Sequence, residues 1–292
     1  MNWKCKSFAG WFWGALLLAS CVTPPANKAR TTDSAAAAST EAASVAAPSA
    51  AAIAPAPSAA AIASAPSVAN AVASTCCNLP ETDDGLPGAG PIQRADWFRK
   101  IWIERRSAWA QRKEQDSGAV VFLGDSITQG WGDDMGKSFA DLKVANRGIS
   151  GDTTRGVLIR LKEDVISLHP KVVVLLIGTN DISNAAEPET IASNVNLILA
   201  ALQAEEPPIS VKLCEVFPSS ASKNRPKEKI TRLNQLYALL VKSKPRVTLV
   251  HTWAIFADKA GDAKASEFPD LLHPNQAGYE KWAKALRPLL SR

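Results

Sequence analysis

Five short runs of apolar and β-branched residues, interspersed with helical patterns, constrain the fold more than any other feature of this chain. The runs do not alternate polar with apolar side chains, as a half-exposed strand would, so we expect strands buried on both faces. They lie at 119–123, 143–145, 171–177, 209–216 and 247–251. Helical patterns lie at 153–168, 190–205, 227–243 and 276–290. This alternation predicts an α/β fold of three layers, in which helices cover both faces of a five-stranded parallel sheet.

A further helical pattern, 95–115, precedes the first of these strands. Trp97, Ile101 and Ala108 fall on one side of it, and arginine and lysine residues lie elsewhere. We expect the side with Trp97 to pack against the rest of the domain.

Residues 1–20 have the pattern of a signal peptide. Two lysines precede an apolar run, 8–18, and small residues follow it. The run is about half of the ~20 residues that a permanent membrane-spanning helix needs. The segment Leu18-Ala19-Ser20-Cys21 resembles the lipobox of bacterial lipoproteins, in which the cysteine carries the lipid and becomes the mature N-terminus.

Lipidation of Cys21 would tether the protein to a membrane, because two or more acyl chains hold firmly. We therefore expect a lipid-anchored protein of the bacterial cell envelope, in the outer membrane or periplasm if the organism is Gram-negative. Secretion without lipid is the alternative.

Residues 21–77 are predicted to form a disordered linker. Ala, Ser, Pro and Thr make up almost all of 31–75, so there are too few large apolar side chains to offset the entropy of ordering. The folded domain is then expected to span 78–292.

The charge of the chain argues against nucleic acid as a partner. Loss of residues 1–20 removes Lys4 and Lys6 and no acidic residue, so the formal net charge falls from +5 to +3. Nucleic-acid-binding domains carry a much stronger basic patch.

The cysteines are too few and too poorly spaced to define a framework. Cys5 lies in the signal and Cys21 in the lipobox, which leaves Cys76, Cys77 and Cys214. Three cysteines cannot all pair internally, and a bond from Cys76 or Cys77 to Cys214 stays open. No Cys-x-x-Cys or His-x-x-x-His spacing is present, so we expect neither a metal site nor a cofactor.

Four short motifs contain the side chains that acyl transfer requires. The first three follow the first three strands, whose carboxyl ends share one edge of a parallel sheet. The motifs are Gly124-Asp125-Ser126-Ile127, Asn146-Arg147-Gly148, Gly178-Thr179-Asn180-Asp181 and Asp270-Leu271-Leu272-His273.

Within these motifs Ser126 is the candidate nucleophile and His273 the candidate base. A serine hydroxyl is a weak nucleophile unless an imidazole removes its proton. The spacing of Asp270 and His273 lets one turn of chain hold the carboxylate against one ring nitrogen while the other faces Ser126. Of the other two histidines, His169 lies at the opposite sheet edge, and His251 could line the substrate pocket.

An oxyanion also needs hydrogen-bond donors. The backbone N–H groups of Ser126 and Gly148 and the side-chain amide of Asn180 are the candidates, since each follows a strand end at the same edge. Asp152 and Arg155 could form an ion pair that holds the loop near Gly148. Trp131 and Trp253 could offer flat surfaces to a sugar ring, although either could equally be a core residue.

In order and spacing, these motifs resemble the four blocks of the SGNH hydrolases, also called GDSL esterases. The stretch 146–154 is most similar to the platelet-activating-factor acetylhydrolase-like branch and its bacterial acetylesterase relatives. The resemblance implies a flavodoxin-like fold and no metal. It also implies a triad of Ser126, His273 and Asp270, with Ser126, Gly148 and Asn180 as the oxyanion hole.

Short connections between the blocks leave no long lid to enclose a fatty chain, which favours small acyl groups. We therefore expect a serine esterase that removes short, acetyl-type acyl groups, on carbohydrate, through an acyl-enzyme. A lysophospholipase or thioesterase that takes longer chains is one alternative. A non-catalytic glycan-binding module is another, although its triad would be expected to be broken.

Overall fold

A computed structural model describes residues 77–290 of the 292-residue chain. The predictions for the signal peptide at 1–20, for lipidation at Cys21 and for the linker at 21–77 lie outside the described residues, apart from Cys77, and stay predictions. Within the described part, no helix is both long enough and apolar enough to cross a bilayer.

The sheet contains five parallel strands in the order β2-β1-β3-β4-β5. These strands are β1 (Val120–Gly124), β2 (Val144–Gly148), β3 (Val172–Leu176), β4 (Ser210–Cys214) and β5 (Val247–Val250). All five runs predicted from the sequence are strands, and the predicted three-layer α/β class is confirmed.

Helices precede, connect and follow these strands. They are α1 (Asp96–Gln111), α2 (Lys113–Asp116), α3 (Ser126–Gln129), α4 (Thr154–Asp164), α5 (Thr179–Ser183), α6 (Pro188–Gln203), α7 (Lys227–Lys242), α8 (Thr252–Phe256) and α9 (Gln276–Leu290). Single 3₁₀ turns occur at Met135–Lys137, Ile166–Leu168 and Ala221–Lys223. The short helices α3, α5 and α8 begin within three residues of a strand end, at the same edge of the sheet.

The two faces of the sheet support separate apolar cores. On β1, Val121 and Leu123 join a cluster that is completed by α4, α6 and α7, whereas Phe122 between them joins the opposite cluster with α9. This alternation follows from the two-residue period of a strand. Both faces of the sheet are therefore buried, which explains why polar and apolar residues do not alternate along the strands.

Helix α1 packs through a different face from the one we predicted. Its buried residues are Phe98, Trp102, Arg106 and Trp109. Trp97 instead remains 51% exposed. The burial of Arg106 hid the periodicity, because its guanidinium reaches the core by pairing with Asp164 at 2.8 Å.

Strand β2 extends to Gly148, beyond the predicted end at 145. Asn146 and Arg147 are thus buried strand residues rather than loop residues. Arg147 is accommodated by an ion pair to Asp116 at 2.7 Å and by a hydrogen bond from its Nε to the Asp164 carbonyl oxygen. This longer strand changes the expected oxyanion site.

Cys214 ends β4 as a buried free thiol. Within the described residues Cys214 therefore forms no disulfide with Cys77, and Cys76 lies outside them. Burial raises the pKa of this thiol to about 12, and the nearby Trp282 opposes the rise.

Candidate active site

Ser126 begins α3 directly after β1, so the strand end places its hydroxyl at the edge of the sheet. The side chain of the preceding residue, Asp125, caps this helix by accepting from the Ile127 N–H at 2.9 Å. Gly124 and Gly148 allow the close approach of β1, β2 and α3. A Cβ on Gly148 would lie 2.3 Å from the backbone nitrogen of Gln129. Gly124 and Gly148 are therefore needed for packing around the turn that carries Ser126, because a side chain at either position would collide with its neighbours.

The structure brings Ser126, His273 and Asp270 together as one hydrogen-bonded chain. His273 Nε2 lies 2.8 Å from Ser126 Oγ, and His273 Nδ1 lies 2.7 Å from Asp270 Oδ2. Ser126 and His273 are 147 residues apart in the sequence, so the contact is created by the fold. This is the geometry in which an imidazole can take the serine proton while a carboxylate orients the ring.

The tail loop is held in place by its own backbone and by two side chains. Asp270 Oδ1 accepts from the N–H groups of Leu272 and His273, at 3.1 and 2.7 Å. Leu271 lies between them in the left-handed region, with φ of 62°, and its carbonyl oxygen accepts from Ser219 Oγ. Tyr279 of α9 donates to the Ile127 carbonyl oxygen at 2.9 Å, which links the tail to α3.

Asp270 is ionised across the neutral range. Partial burial works to raise its pKa, but the hydrogen bonds from the backbone and ring of His273 and from the backbone of Leu272 outweigh it and lower the pKa to about 2. A carboxylate opposite Nδ1 stabilises the imidazolium that forms when Nε2 takes a proton.

Asn180 is the second residue of α5, after β3, and its side chain is held in one orientation. Its Nδ2 donates to the Asp152 carbonyl oxygen at 3.0 Å, and its Oδ1 accepts from Arg225 Nη2 at 2.9 Å. Within the described residues, the second hydrogen of Nδ2 has no acceptor. It is thus available to a developing oxyanion.

The N–H of Ser126 likewise has no acceptor within 77–290. Gly148 differs from the prediction, because its N–H donates to Asn146 Oδ1 at 2.9 Å. The cause lies in the sheet. The Ile149 N–H bonds to the Gly124 carbonyl oxygen of β1, so the Gly148 N–H points away from β1, at the edge of the sheet. The assignment of Gly148 as an oxyanion donor is therefore corrected.

Gly151 replaces it as the available backbone donor on this loop. No group in the described part of the chain accepts from its N–H. Its neighbours place it at the site: the Ser150 N–H donates to Gln129 Oε1 of α3, and the Asp152 carbonyl oxygen accepts from Asn180. With φ of 83°, Gly151 also adopts a conformation that favours glycine.

Asp152 pairs with Arg160, not with Arg155 as we expected. The Arg160 Nε lies 2.8 Å from Asp152 Oδ2, and both side chains are fully buried. Arg160 Nη2 also donates to the carbonyl oxygens of Gly124 and Arg147. Arg155 instead pairs with Asp83, in the segment before α1. One buried arginine thus holds the ends of β1 and β2 and the Asp152 side chain, which follows Gly151.

Three carboxyl groups are buried beneath the site. The pKa of Asp125 is raised to about 7, chiefly by burial and to a smaller extent by Asp152 and Asp181, against the opposing effects of the Ile127 N–H and Arg225. Burial raises the pKa of Asp152 and of Asp181 to about 6, against the opposing effects of Arg160 and Thr154 respectively. Asp125 Oδ2 has no hydrogen-bond partner in the described residues, which fits a carboxyl group that is readily protonated.

The predicted substrate-side residues lie in different environments. Trp131 is 5% exposed and stacks on Trp282 with ring centroids 4.6 Å apart, so it is a core residue, and its assignment to the substrate side is corrected. His251 is exposed, with Nδ1 at 3.2 Å from Glu215 Oε1. Trp253 is half-buried and borders a cavity of about 190 Å³ next to Glu215. His251 and Trp253 remain candidates.

Two residues of the site were not predicted from the sequence. Arg225 lies in the loop after β4, and no local pattern marks it, although the rule that ligands bind at the carboxyl edge could have directed attention to that loop. Gly151 was missed because strand two was ended too early. Had the predicted strand been extended by three residues to Gly148, the backbone oxyanion donor would have been expected in the loop after it, which contains Gly151.

A Ser-His-Asp chain with free N–H donors, at the carboxyl edge of a parallel α/β sheet, defines a serine hydrolase. The family model described as GDSL-like Lipase/Acylhydrolase matches residues 122–281, and the chain belongs to this family. It is accordingly a carboxylic ester hydrolase. The match includes both Ser126 and His273.

Similar proteins agree with this assignment. The chain is 29% identical over 192 residues to the platelet-activating factor acetylhydrolase IB subunit alpha2 of Bos taurus, and the human protein gives the same values; the alignment covers 65% of this chain and 83% of each relative. A solved structure from Streptococcus pneumonia, provisionally described as a platelet activating factor, superposes with a TM-score of 0.58 at 26% identity. The superposition covers 67% of this chain and 95% of the Streptococcus chain. A GDSL-like lipase from Bacteroides thetaiotaomicron has a TM-score of 0.54 at 24% identity, covering 62% and 95%, which shows the shared fold.

Proposed function

We propose that this esterase removes acetyl groups from esterified carbohydrate. The observation that carries the proposal is the openness of the triad, since the His273 and Asp270 side chains are 40% and 47% exposed. An exposed reacting centre accommodates an ester on a bulky, hydrated alcohol without burying its hydroxyl groups, which would cost free energy. Preference for the acetyl group is supported by the relatives at 28–29% identity, which are named acetylhydrolases.

The reaction proceeds in two halves. Ser126 Oγ attacks the ester carbonyl carbon as its proton passes to His273 Nε2, and the carbonyl oxygen becomes an oxyanion. This oxyanion is met by the N–H groups of Ser126 and Gly151 and by Asn180 Nδ2. Collapse breaks the bond to the alcohol oxygen, which receives the proton from His273. An acetyl group is then left on Ser126.

Water completes the cycle. It attacks the acetyl-enzyme carbonyl carbon and gives its proton to His273, and the second oxyanion forms in the same place. When it collapses, the bond to Ser126 Oγ breaks and the proton returns to that oxygen, so that acetate leaves and the enzyme is restored. Asp270 remains ionised throughout and stabilises the imidazolium.

The acyl-chain preference is tested with p-nitrophenyl esters from acetate to decanoate, using the Ser126→Ala variant to measure background hydrolysis. We expect kcat/KM to be highest for acetate and to fall as the chain lengthens. Higher kcat/KM for the decanoate would refute the acetyl preference and favour a lysophospholipase or thioesterase.

The alcohol half is tested by acetate release from acetylated xylan, pectin and peptidoglycan. We expect release from at least one of them, and none from Ser126→Ala. Activity on aryl acetates without release from any glycan would contradict the carbohydrate assignment. Binding to glycan without turnover of any ester would favour the non-catalytic module.

We also propose that Cys21 tethers the enzyme to the bacterial cell envelope. The support is the lipobox at Leu18–Cys21, together with a linker long enough to span at least ~40 Å as a coil. Metabolic labelling with a palmitate analogue should label the wild-type chain and not Cys21→Ala. A wild-type chain that stays unlabelled and fractionates with secreted proteins would overturn the anchor.

A further inference from the structure

Trp97 is an exposed aromatic side chain that the core of the domain does not use. It lies in the first turn of α1 and is 51% exposed, while its neighbour Phe98 is buried. The two rings contact edge to face, with centroids 5.8 Å apart and planes at 85°. Phe98 thus restrains the indole, although about half of Trp97 faces solvent.

The restrained indole lies against the oxyanion loop. A Cβ placed on Gly151 would be 2.4 Å from Trp97 Cη2, so the edge of the indole rests on the backbone of Gly151. Gly151 supplies the free N–H described above, and its neighbour Asp152 accepts from Asn180. Trp97 therefore contacts the residue whose N–H is expected to bind the substrate carbonyl oxygen.

We propose that the exposed indole of Trp97 forms a stacking subsite for a sugar ring of the ester substrate. The inference rests on the proposed activity toward carbohydrate esters and identifies where the sugar binds. An indole is a flat, rigid apolar surface, and a pyranose ring has an apolar C–H face of similar size. Stacking on an open surface covers that face and leaves the ring hydroxyl groups in water.

An acyl chain fits this surface less well. The binding free energy of a flexible acyl chain is most favourable when the chain is enclosed on several sides, because it scales with the apolar area removed from water. One half-exposed ring offers little enclosure. The alcohol half of the ester is therefore the part that Trp97 contacts.

The test compares two substrates with the same acetyl group, ethyl acetate and methyl tri-O-acetyl-xyloside. In Trp97→Ala, we expect the ratio of kcat/KM for the sugar ester to that for ethyl acetate to fall about tenfold, mainly through KM. Trp97→Phe should restore most of this ratio, because it keeps a flat ring. Trp97→Leu, apolar but not flat, should not restore it.

The matched control is Ile103→Ala. Ile103 is an apolar residue of the same helix, 40% exposed. The Ile103→Ala substitution removes exposed apolar area from α1 and leaves the contact between Trp97 and Gly151 in place. The ratio of kcat/KM for the sugar ester to that for ethyl acetate should therefore not change. An equal fall in this variant would show that the effect comes from the helix surface in general.

Three outcomes overturn the subsite. Equal losses for both substrates in Trp97→Ala would mean that the residue only supports the Gly151 loop. A loss that grows from ethyl acetate to ethyl butyrate would place the acyl chain on the indole. An unchanged ratio would mean that the ring contacts neither half of the ester.

A binding measurement separates this inference from the proposed function. The sugar ester is titrated into Ser126→Ala and into Ser126→Ala/Trp97→Ala by calorimetry, and we expect weaker binding in the double variant. If the wild-type enzyme neither binds nor cleaves the sugar ester, the carbohydrate assignment fails together with the subsite. If the wild-type enzyme cleaves the sugar ester and Trp97→Ala is equally selective, only the subsite fails.

Discussion

Arg225 fixes the side-chain amide of Asn180 by donating from Nη2 to its Oδ1 at 2.9 Å. Its Nε also donates to Thr179 Oγ1 at 2.9 Å, so the guanidinium bridges two consecutive residues of α5. Since Oδ1 is engaged, the NH₂ group of Asn180 must face Asp152 and the site. The positive charge also polarises the amide, which makes Nδ2 a better donor to an anion.

We expect Arg225→Gln to lower kcat by about 10- to 100-fold with a much smaller change in KM, because the donor it orients acts mainly in the transition state. Steady-state kinetics with p-nitrophenyl acetate measures both. Arg232→Gln is the control, since Arg232 forms an exposed ion pair with Glu189 on the neighbouring helix and should leave kcat within about twofold.

A double-mutant cycle shows whether Arg225 acts through Asn180. Asn180→Ala alone should lower kcat by about 100- to 1,000-fold. Adding Arg225→Gln to Asn180→Ala should cost little more, because the group that it orients is already absent. Fully additive losses would contradict a positioning role.

Gly151→Ala should lower both activity and stability. Its φ of 83° is unfavourable for alanine, and the new Cβ would collide with Trp97 at 2.4 Å. Combining it with Trp97→Ala removes the collision but leaves the backbone strain, so the double variant should recover part of the lost melting temperature. No recovery would mean that the indole does not contact Gly151.

Much of the fold was predictable because its determinants are local. Buried parallel strands read as short apolar runs, and every predicted run became a strand. The triad was predictable for a related reason, because Ser126 follows a strand end and Asp270 and His273 share one turn of the tail loop. These relationships depend on sequence spacing and on the edge rule for parallel sheets.

Most of the errors arise where partners that are distant in the sequence decide the outcome. The sequence left Trp131 open between a stacking surface for sugar and a core position, and Trp282 and Tyr279 cover it. Trp97 was expected to face the core, but α1 buries a different side, on which Arg106 pairs with Asp164. The Gly148 N–H donates to Asn146 Oδ1 and is not free, because β2 continues beyond its apolar residues to Gly148. Trp282, Tyr279 and Asp164 are too distant in the sequence to be read from a local pattern, whereas Asn146 is only two residues from Gly148 and was placed in a loop rather than in β2.

The buried Asp125 should make stability fall as the pH rises toward neutrality. Its pKa is raised to about 7 from an ordinary value of 3.8, so between these values the folded state binds a proton that the unfolded state has released. The stability from the neutral form is complete below about pH 4 and is lost as the pH passes through 7. The full shift corresponds to at most about 4 kcal/mol.

Asp125→Asn tests this dependence, because an amide keeps the cap to Ile127 and cannot ionise. Melting temperatures are measured from pH 4 to 8 for the variant and the wild type. We expect the difference between them to move in favour of the variant as the pH rises. Parallel curves would show that Asp125 does not titrate in this range.

Cys214 should resist alkylation in the folded protein. Its thiol is buried, and a pKa of about 12 leaves almost no thiolate at pH 8. Treatment with iodoacetamide followed by peptide mapping should find Cys214 unmodified in buffer and modified in urea. Rapid modification under native conditions would contradict its placement at the end of β4.

Covalent trapping of the nucleophile with diethyl p-nitrophenyl phosphate, followed by peptide mass spectrometry, tests the role of Ser126 most directly. Ser126 Oγ lies 2.8 Å from His273 Nε2, so we expect one diethylphosphoryl group per chain, located on Ser126, and slow labelling in His273→Ala. Ser126→Ala should not be labelled. A phosphoryl group on another serine, or equally rapid labelling of Ser126→Ala, would contradict the assignment of this protein as an esterase that acts through Ser126.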